Sequence, residues 1–205
     1  MRSEAKRKAR AELRGLWAAT LTPFRDDLSL DEAGWRANLR HWYGALGIRG
    51  LFVNGKQGEY YAMTVEERKR TAEIAIEEAR AFGGKVMVAC SDHNVVVGAE
   101  LARHAEAAGA DYVVVHTPVL YFGAHTDETL LAYYRYVAAQ VKIGLVLWNQ
   151  PPDCGYLLRP ELCVRLAEEI PNVVAIKYSV PRETYAALTR MAGDRLIVSS
   201  SSEEE

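Results

Sequence analysis

Short apolar runs rich in β-branched residues recur along the chain at positions 16–20, 50–53, 86–89, 112–115, 145–148, 173–176 and 196–198. Each run is continuous rather than alternating, and each is bounded by Gly, Pro or polar residues. That is the pattern of parallel strands buried on both faces. Amphipathic stretches with start and stop signals lie between the runs. The first opens with Ser29 and Glu32 in capping-box spacing, carries Trp35, Leu39, Trp42 and Leu46 on one face, and stops at Gly47. The second opens with Thr64 and Glu67 and ends at Gly83-Gly84. Helices are predicted over 95–109 and 127–141. Two more follow, one from Pro160 to Ile170 and one begun by Pro181 and closed by Gly193.

Strands alternating with helices imply a parallel sheet with helices outside it. An open doubly wound sheet and a closed barrel both satisfy the alternation. No G-x-G-x-x-G follows the first strand, and the units repeat evenly at roughly thirty residues, which favours an α/β fold of the (β/α)8 TIM-barrel type. A closed barrel needs eight strands in typically ~250 residues. Seven strands and about six complete helices are legible in these 205 residues. The expectation is an incomplete barrel over 15–205 that lacks its last elements and is inactive by itself. The segment 1–14 is a charged N-terminal leader, to be either a short solvated or mobile segment or a packing element.

Composition narrows the function classes. About half the residues are apolar, a quarter are charged and the formal net charge is -2. Nothing in that balance recruits nucleic acid or an anionic membrane. No apolar run approaches the ~20 residues of a membrane span, and the leader has no apolar core of the secretory type. Cys90, Cys154 and Cys163 are an odd set without metal-type spacing, which suits a reducing cytoplasm. The five histidines form no HExxH or His-x-His pair, so no metal cofactor is expected.

A parallel barrel places its chemistry at the C-terminal ends of its strands. The groups there are Thr22-Pro23, the 55–59 segment, the 90–94 segment, His116-Thr117-Pro118, Trp148-Asn149, Lys177-Tyr178-Ser179 and Ser199 to Ser202. Lys177 follows Val-Val-Ala-Ile. Pointing into a barrel, its amine would be desolvated and its neutral, nucleophilic form favoured. Snorkelling to solvent is the other reading of a lysine at a strand end.

Several of these residues fall in one order: Thr22-Pro23-Phe24, Gly55-x-x-Gly58-Glu59, Ala108-Gly109-Ala110-Asp111 leading to Thr117-Pro118, Asn149-x-Pro151, and Ile176-Lys177. In that order and spacing, from Gly15 to the last residues, the chain resembles the dihydrodipicolinate synthase and N-acetylneuraminate lyase family. The resemblance implies that Lys177 forms a Schiff base with pyruvate or a related 2-oxo acid. The protonated imine then serves as the electron sink for making or breaking a C–C bond, or for eliminating a hydroxyl. It further implies no organic cofactor and a homo-oligomer, dimer or tetramer.

The departures from the family pattern are specific. Lys56-Gln57 stands where the family has two threonines that hold the substrate carboxylate. A lysine and an amide can bind a carboxylate, and Lys56 can equally pair with Glu59. Trp148 replaces the proton-shuttling tyrosine, and an indole N–H donates but does not transfer a proton in neutral water. It is open to either a pocket-shaping or a packing role. Proton transfer would then fall to water or to His116 or Tyr121, and Lys56 near Lys177 would disfavour the ammonium form. Asp153 occupies the position of the synthase's carboxylate-binding arginine and would repel a carboxylate. Ser200 replaces a glycine, and Val119-Leu120 replaces an aromatic pair. The expected function is a Schiff-base lyase, aldolase or hydro-lyase, on a 2-oxo acid outside dihydrodipicolinate synthesis. Two other readings stand beside it: a non-catalytic relative or assembly subunit, and an open nucleotide-binding sheet.

Overall fold

The computed structural model describes residues 3–119 and 122–200. In chain order these form α1 (Glu4–Glu12), β1 (Trp17–Ala19), α2 (Glu32–Arg40), β2 (Gly50–Val53), α3 (Val65–Phe82), β3 (Lys85–Ala89), α4 (Val95–Ala108) and β4 (Tyr112–His116). There follow α5 (Asp127–Ala138), β5 (Gly144–Asn149), α6 (Pro151–Cys154), α7 (Pro160–Glu169), β6 (Val173–Tyr178), α8 (Arg182–Ala192) and β7 (Ile197–Ser199). The seven strands lie in one sheet in the order β1-β2-β3-β4-β5-β6-β7. A doubly wound sheet reverses its strand order at a switch point, whereas a barrel adds each new strand beside the last. The unbroken order therefore selects the (β/α)8 barrel class, with seven of its strands among the described residues.

The chain divides into two compact units. One comprises Gly15–Cys90 with Glu100–Val113, and the other takes in the remaining described residues. In the first unit, β1, β2 and β3 pair in parallel. The α2 helix buries Trp35 and Leu39 completely, and the Trp35 indole donates to the Thr71 carbonyl of α3 at 3.1 Å. Its N-cap is Asp31, whose carboxylate accepts from the Gly34 N–H at 3.1 Å. The predicted Ser29–Glu32 capping box does not form. Ser29 donates instead to Asp27, and Leu30 bridges Phe24, so the helix cannot begin until Asp31. The α3 box of Thr64 and Glu67 does form, and α3 ends at Gly83 with φ 62°. A π-helical turn, His41–Ala45, extends α2. It brings Tyr43 onto Phe82, with the Tyr43 hydroxyl donating to the Lys85 carbonyl at 3.0 Å. Asp111 stitches the start of β3, accepting from the Val86 N–H and the Lys85 amine, both at 2.9 Å.

The second unit is built on β5, β6 and β7, again parallel. Residues of the charged leader form α1, which packs on β5 and β6 through the fully buried Ala9. Its polar side chains reach backbone carbonyls at the far ends of helices. Ser3 donates to Pro171 at 2.6 Å, Lys6 to Ala167, and Arg10 to Gly193 and Asp194 at 3.3 and 3.2 Å. Lys6 and Arg10 thus bring positive charge to the C-terminal ends of α7 and α8, where unpaired carbonyls attract it.

Candidate active site

Strand parity decides which strand-end groups share a face. Successive side chains in a strand point to opposite sides. On β6, Tyr178 is fully buried and its hydroxyl donates to the Leu158 carbonyl just ahead of α7, so Tyr178 faces the helices. Lys177, one residue earlier, faces the other way. On β5, the Asn149 amide turns towards Cys154, Tyr156 and Leu158, which leaves Trp148 on the side of Lys177. After β4, Thr117 meets the Tyr134 hydroxyl of α5 at 2.9 Å, which leaves His116 on the same side as Trp148. Three consecutive strands, β4, β5 and β6, therefore present His116, Trp148 and Lys177 to one helix-free face.

Their mutual geometry is close. The Lys177 amine lies 5.0 Å from the centroid of the Trp148 ring, and Trp148 and Lys177 are register partners in the sheet. The His116 ring meets the same indole edge-on at a centroid distance of 4.3 Å. Trp148 is 1% exposed and His116 3%, whereas Lys177 is half-buried. An ammonium over a tryptophan face gains ~0.5–2 kcal/mol, more as water is excluded. The Trp148 indole thus gives the Lys177 amine an apolar surface to lie over. The neighbouring phenols are inert by comparison. Burial pushes the Tyr178 and Tyr134 hydroxyls well above the ordinary tyrosine range, so both remain neutral donors or acceptors.

Asn149 builds the turn beneath this face. It is fully buried, and its amide nitrogen donates to Thr117 at 3.1 Å and to the Tyr156 carbonyl at 2.9 Å. Its oxygen accepts from the Leu158 N–H at 3.1 Å. The turn contains the short helix α6, with Pro151 at its first position and Asp153 half-buried inside it. This helix was not legible in the sequence, because four residues carry no periodicity. Arg159 and Tyr156 both fasten the loop to Asp127 at the start of α5, at 2.6 and 3.0 Å. Ser200 follows β7 and is half-buried, and its carbonyl accepts from the Ser199 hydroxyl at 3.3 Å.

Lys56 and Gln57 belong to the other compact unit. There they are exposed at the crown of a tight turn in which Gly58 N–H bonds the Gly55 carbonyl and Glu59 N–H bonds the Lys56 carbonyl. Thr22 secures that turn by donating to the Gly58 carbonyl at 2.9 Å. Asn54 and Glu59 bracket it with positive φ, 56° and 57°. Asn54 is held by Thr71 and the Arg68 carbonyl of α3 at 2.7 and 2.8 Å. Leu120, Tyr121, Ser201 and Ser202 lie outside the described residues.

Strand order and strand-end side chains together define a (β/α)8-barrel protein with a lysine at the C-terminal end of its sixth strand. Comparison with known proteins narrows this class. The chain matches the dihydrodipicolinate synthetase family over residues 12–205, and it belongs to that family. It is 38% identical over 173 residues to a 4-hydroxy-tetrahydrodipicolinate synthase of Methanothrix thermoacetophila, covering 80% of this chain and 53% of that one. A protein of Bradyrhizobium diazoefficiens named as a probable 5-dehydro-4-deoxyglucarate dehydratase is 34% identical over 184 residues, covering 89% and 56%. Among solved structures, a prophage protein of the family from E. coli K12, in complex with pyruvate, superposes with a TM-score of 0.86 at 28% identity. That match covers 92% of this chain and 63% of the other. The chain spans a little over half the length of the curated relatives it matches.

Proposed function

We propose that this protein is a lyase, an aldolase or hydro-lyase, acting on a 2-oxo acid such as pyruvate or a pyruvate adduct through a Schiff base on Lys177. The observation that carries the proposal is the placement of Lys177 on the helix-free face, with its amine seated over the Trp148 indole. Once deprotonated, that amine can add to a ketone carbon. The resulting protonated imine accepts the electron pair of a breaking C–C bond, or of a C–H bond whose loss precedes hydroxyl elimination. Family membership supports the same chemistry, as does the pyruvate complex of the E. coli relative.

Dihydrodipicolinate synthesis is not the activity proposed. Asp153 stands where a carboxylate-binding arginine would be needed, and Trp148 stands where the transferring phenol would be. Trp148, Asp153 and Ser200 are assigned to substrate contacts in this proposal, Lys56 and Gln57 to the substrate carboxylate. The 1–14 segment is taken as a leader to a barrel domain over 15–205. No metal or organic cofactor is invoked, and the resemblance supports a homo-oligomer. Three free, buried cysteines suit a reducing cytoplasm. Among the described residues no helix is long and apolar enough to cross a membrane. Turnover is placed in a protein that has all eight strands.

The test is borohydride reduction in the presence of pyruvate, with the modified peptide located by mass spectrometry. A reduced pyruvyl group on Lys177, lost in Lys177→Ala, supports the proposal. Lys56→Gln is expected to raise the pyruvate concentration needed for half-maximal trapping. Absence of any adduct on Lys177 would leave the non-catalytic relative as the better account.

A further inference from the structure

Only the protonated form of an imine draws electrons strongly, and an imine nitrogen is a weaker base than the amine from which it forms. A lysine Schiff base therefore needs something that holds its proton at neutral pH. The surroundings of the Lys177 nitrogen supply one such feature at close range. The amine lies over the face of the Trp148 ring, 5.0 Å from its centroid, and the two residues are register partners on β5 and β6. An aromatic face carries the negative lobe of the ring quadrupole. It attracts a cation within ~6 Å of the centroid, most strongly for tryptophan and where water is excluded. The Lys177 nitrogen is also the atom that becomes the imine nitrogen, so the charge forms where the ring already stands. The orientation of the indole is fixed. Trp148 is 1% exposed, and His116 packs on it edge-on at a centroid distance of 4.3 Å and an interplanar angle of 76°. The Trp148 carbonyl accepts from the Thr117 N–H at 3.0 Å.

We infer that Trp148 is a catalytic residue of this site, whose ring face holds the proton on the Lys177 imine by stabilising the positive charge of its nitrogen. The inference rests on the proposed Schiff base at Lys177. Condensation joins the free amine to the C2 carbonyl of pyruvate and releases water. One proton is taken up, and the nitrogen is left with one positive charge. Loss of the N–H proton gives the neutral imine, and nothing is oxidised or reduced in either step. The ring acts on the difference between these two forms. It attracts the cation and has no comparable pull on the neutral imine, so it raises the proton affinity of the nitrogen by ~2- to ~30-fold. No proton passes through the indole, whose N–H donates but does not transfer. Other groups of the same compact unit that can carry charge in the turns after the strands are Asp92, His93, His116 and Asp153. From β7 the register partner of Lys177 is Ser199, a hydroxyl. A carboxylate would stabilise the same cation and an imidazolium would oppose it, so the discriminating measurement alters the ring alone.

The experiment changes the charge distribution of the ring and keeps its shape. Monofluoro-, difluoro- and trifluorotryptophan are placed at position 148 by site-specific incorporation, in the full-length chain with all eight strands. Each fluorine draws electron density from the ring face and weakens its hold on a cation. Borohydride reduction with pyruvate reports whether an imine forms on Lys177. Cyanoborohydride reduces the protonated imine in strong preference to the neutral one. Its initial rate at saturating pyruvate, followed from neutral to alkaline pH, therefore gives the midpoint at which the imine loses its proton. That midpoint is expected to fall stepwise with fluorination. Trp148→Leu, which has no π face, should lower it by ~0.4 to ~1.5 pH units, the equivalent of the ~2- to ~30-fold loss in proton affinity. Leucine leaves a cavity at this buried position, so the fluorinated series, which preserves the packing, decides. A midpoint unmoved across that series, with the borohydride adduct still on Lys177, overturns the inference and makes Trp148 a packing residue. If the wild type gives no borohydride adduct on Lys177, the Schiff-base proposal fails and takes this one with it.

Discussion

Replacing Asn149 by alanine removes a side chain that ties three segments together. Its amide nitrogen bridges Thr117 and the Tyr156 carbonyl, and its oxygen receives the Leu158 N–H. Thr117 keeps Tyr134, and the Tyr156 carbonyl keeps the Cys154 thiol at 3.3 Å. Leu158 is fully buried, and its N–H would lose the acceptor that Asn149 supplies. Leaving a buried N–H without an acceptor costs ~1–3 kcal/mol, and the lost bond to Tyr156 adds ~1 kcal/mol. The sum, ~2–4 kcal/mol, lowers the folding equilibrium constant by ~30- to ~1,000-fold. Urea unfolding followed by circular dichroism measures it directly. Asn149→Asp gives an independent check. Its carboxylate can still accept from Leu158, but its second oxygen would face the Tyr156 carbonyl unless it is protonated. Burial and that repulsion raise the folded pKa of the new carboxyl above its unfolded value, so the variant loses less stability at pH 4 than at pH 7. An Asn149→Ala protein within ~0.5 kcal/mol of wild type would refute the accounting, because a surface substitution does as little.

Three further outcomes are expected. The buried Glu78 carboxylate accepts from Arg40 and Arg36, and chiefly the Arg40 hydrogen bond holds its pKa below the usual glutamate value. A carboxyl so lowered contributes stability above its unfolded pKa of about 4.3 and loses it as pH falls through the lower folded value. Glu78→Gln should therefore be less stable at neutral pH and show a shallower acid decline, read from thermal melts across pH. A Cβ at Gly84 would sit 2.3 Å from the buried Tyr43 ring, so Gly84→Ala should destabilise by ~1–3 kcal/mol, and an unchanged melting temperature would contradict the packing described. The 205-residue span expressed by itself is expected to associate and to show no lyase turnover, because the seven strands among the described residues leave the outer edges of β1 and β7 without a neighbouring strand there. A monodisperse, active preparation by gel filtration and pyruvate-release assay would refute this.

Local chemistry made most of the fold legible. Continuous β-branched runs, Thr64–Glu67, Pro160 and Gly83 act through their own backbones and near neighbours, and each element they predict is present. Lys177 stood out as a lysine closing an apolar strand, but that pattern left snorkelling to solvent open, and it was the family resemblance that marked it as the candidate amine. Other features depended on partners distant in the chain. Whether Asp31 or Ser29 caps α2 was decided by Asp27 and by the Phe24–Leu30 bridge, which claimed Ser29 and Leu30 first. The leader became a packed helix because carbonyls at Ala167, Pro171 and Gly193 lay within reach, more than 150 residues away. His116 joined Trp148 and Lys177 because pairing across β4, β5 and β6 sets which alternate side chains share a face. The sequence alone determined which segments become the seven strands and the longer helices between them, since those signals span a few residues, whereas the start of α2 and the short α6 were not among them. Which strand-end groups meet was decided by register and side-chain parity between strands about thirty residues apart, and only the assembled sheet holds that information.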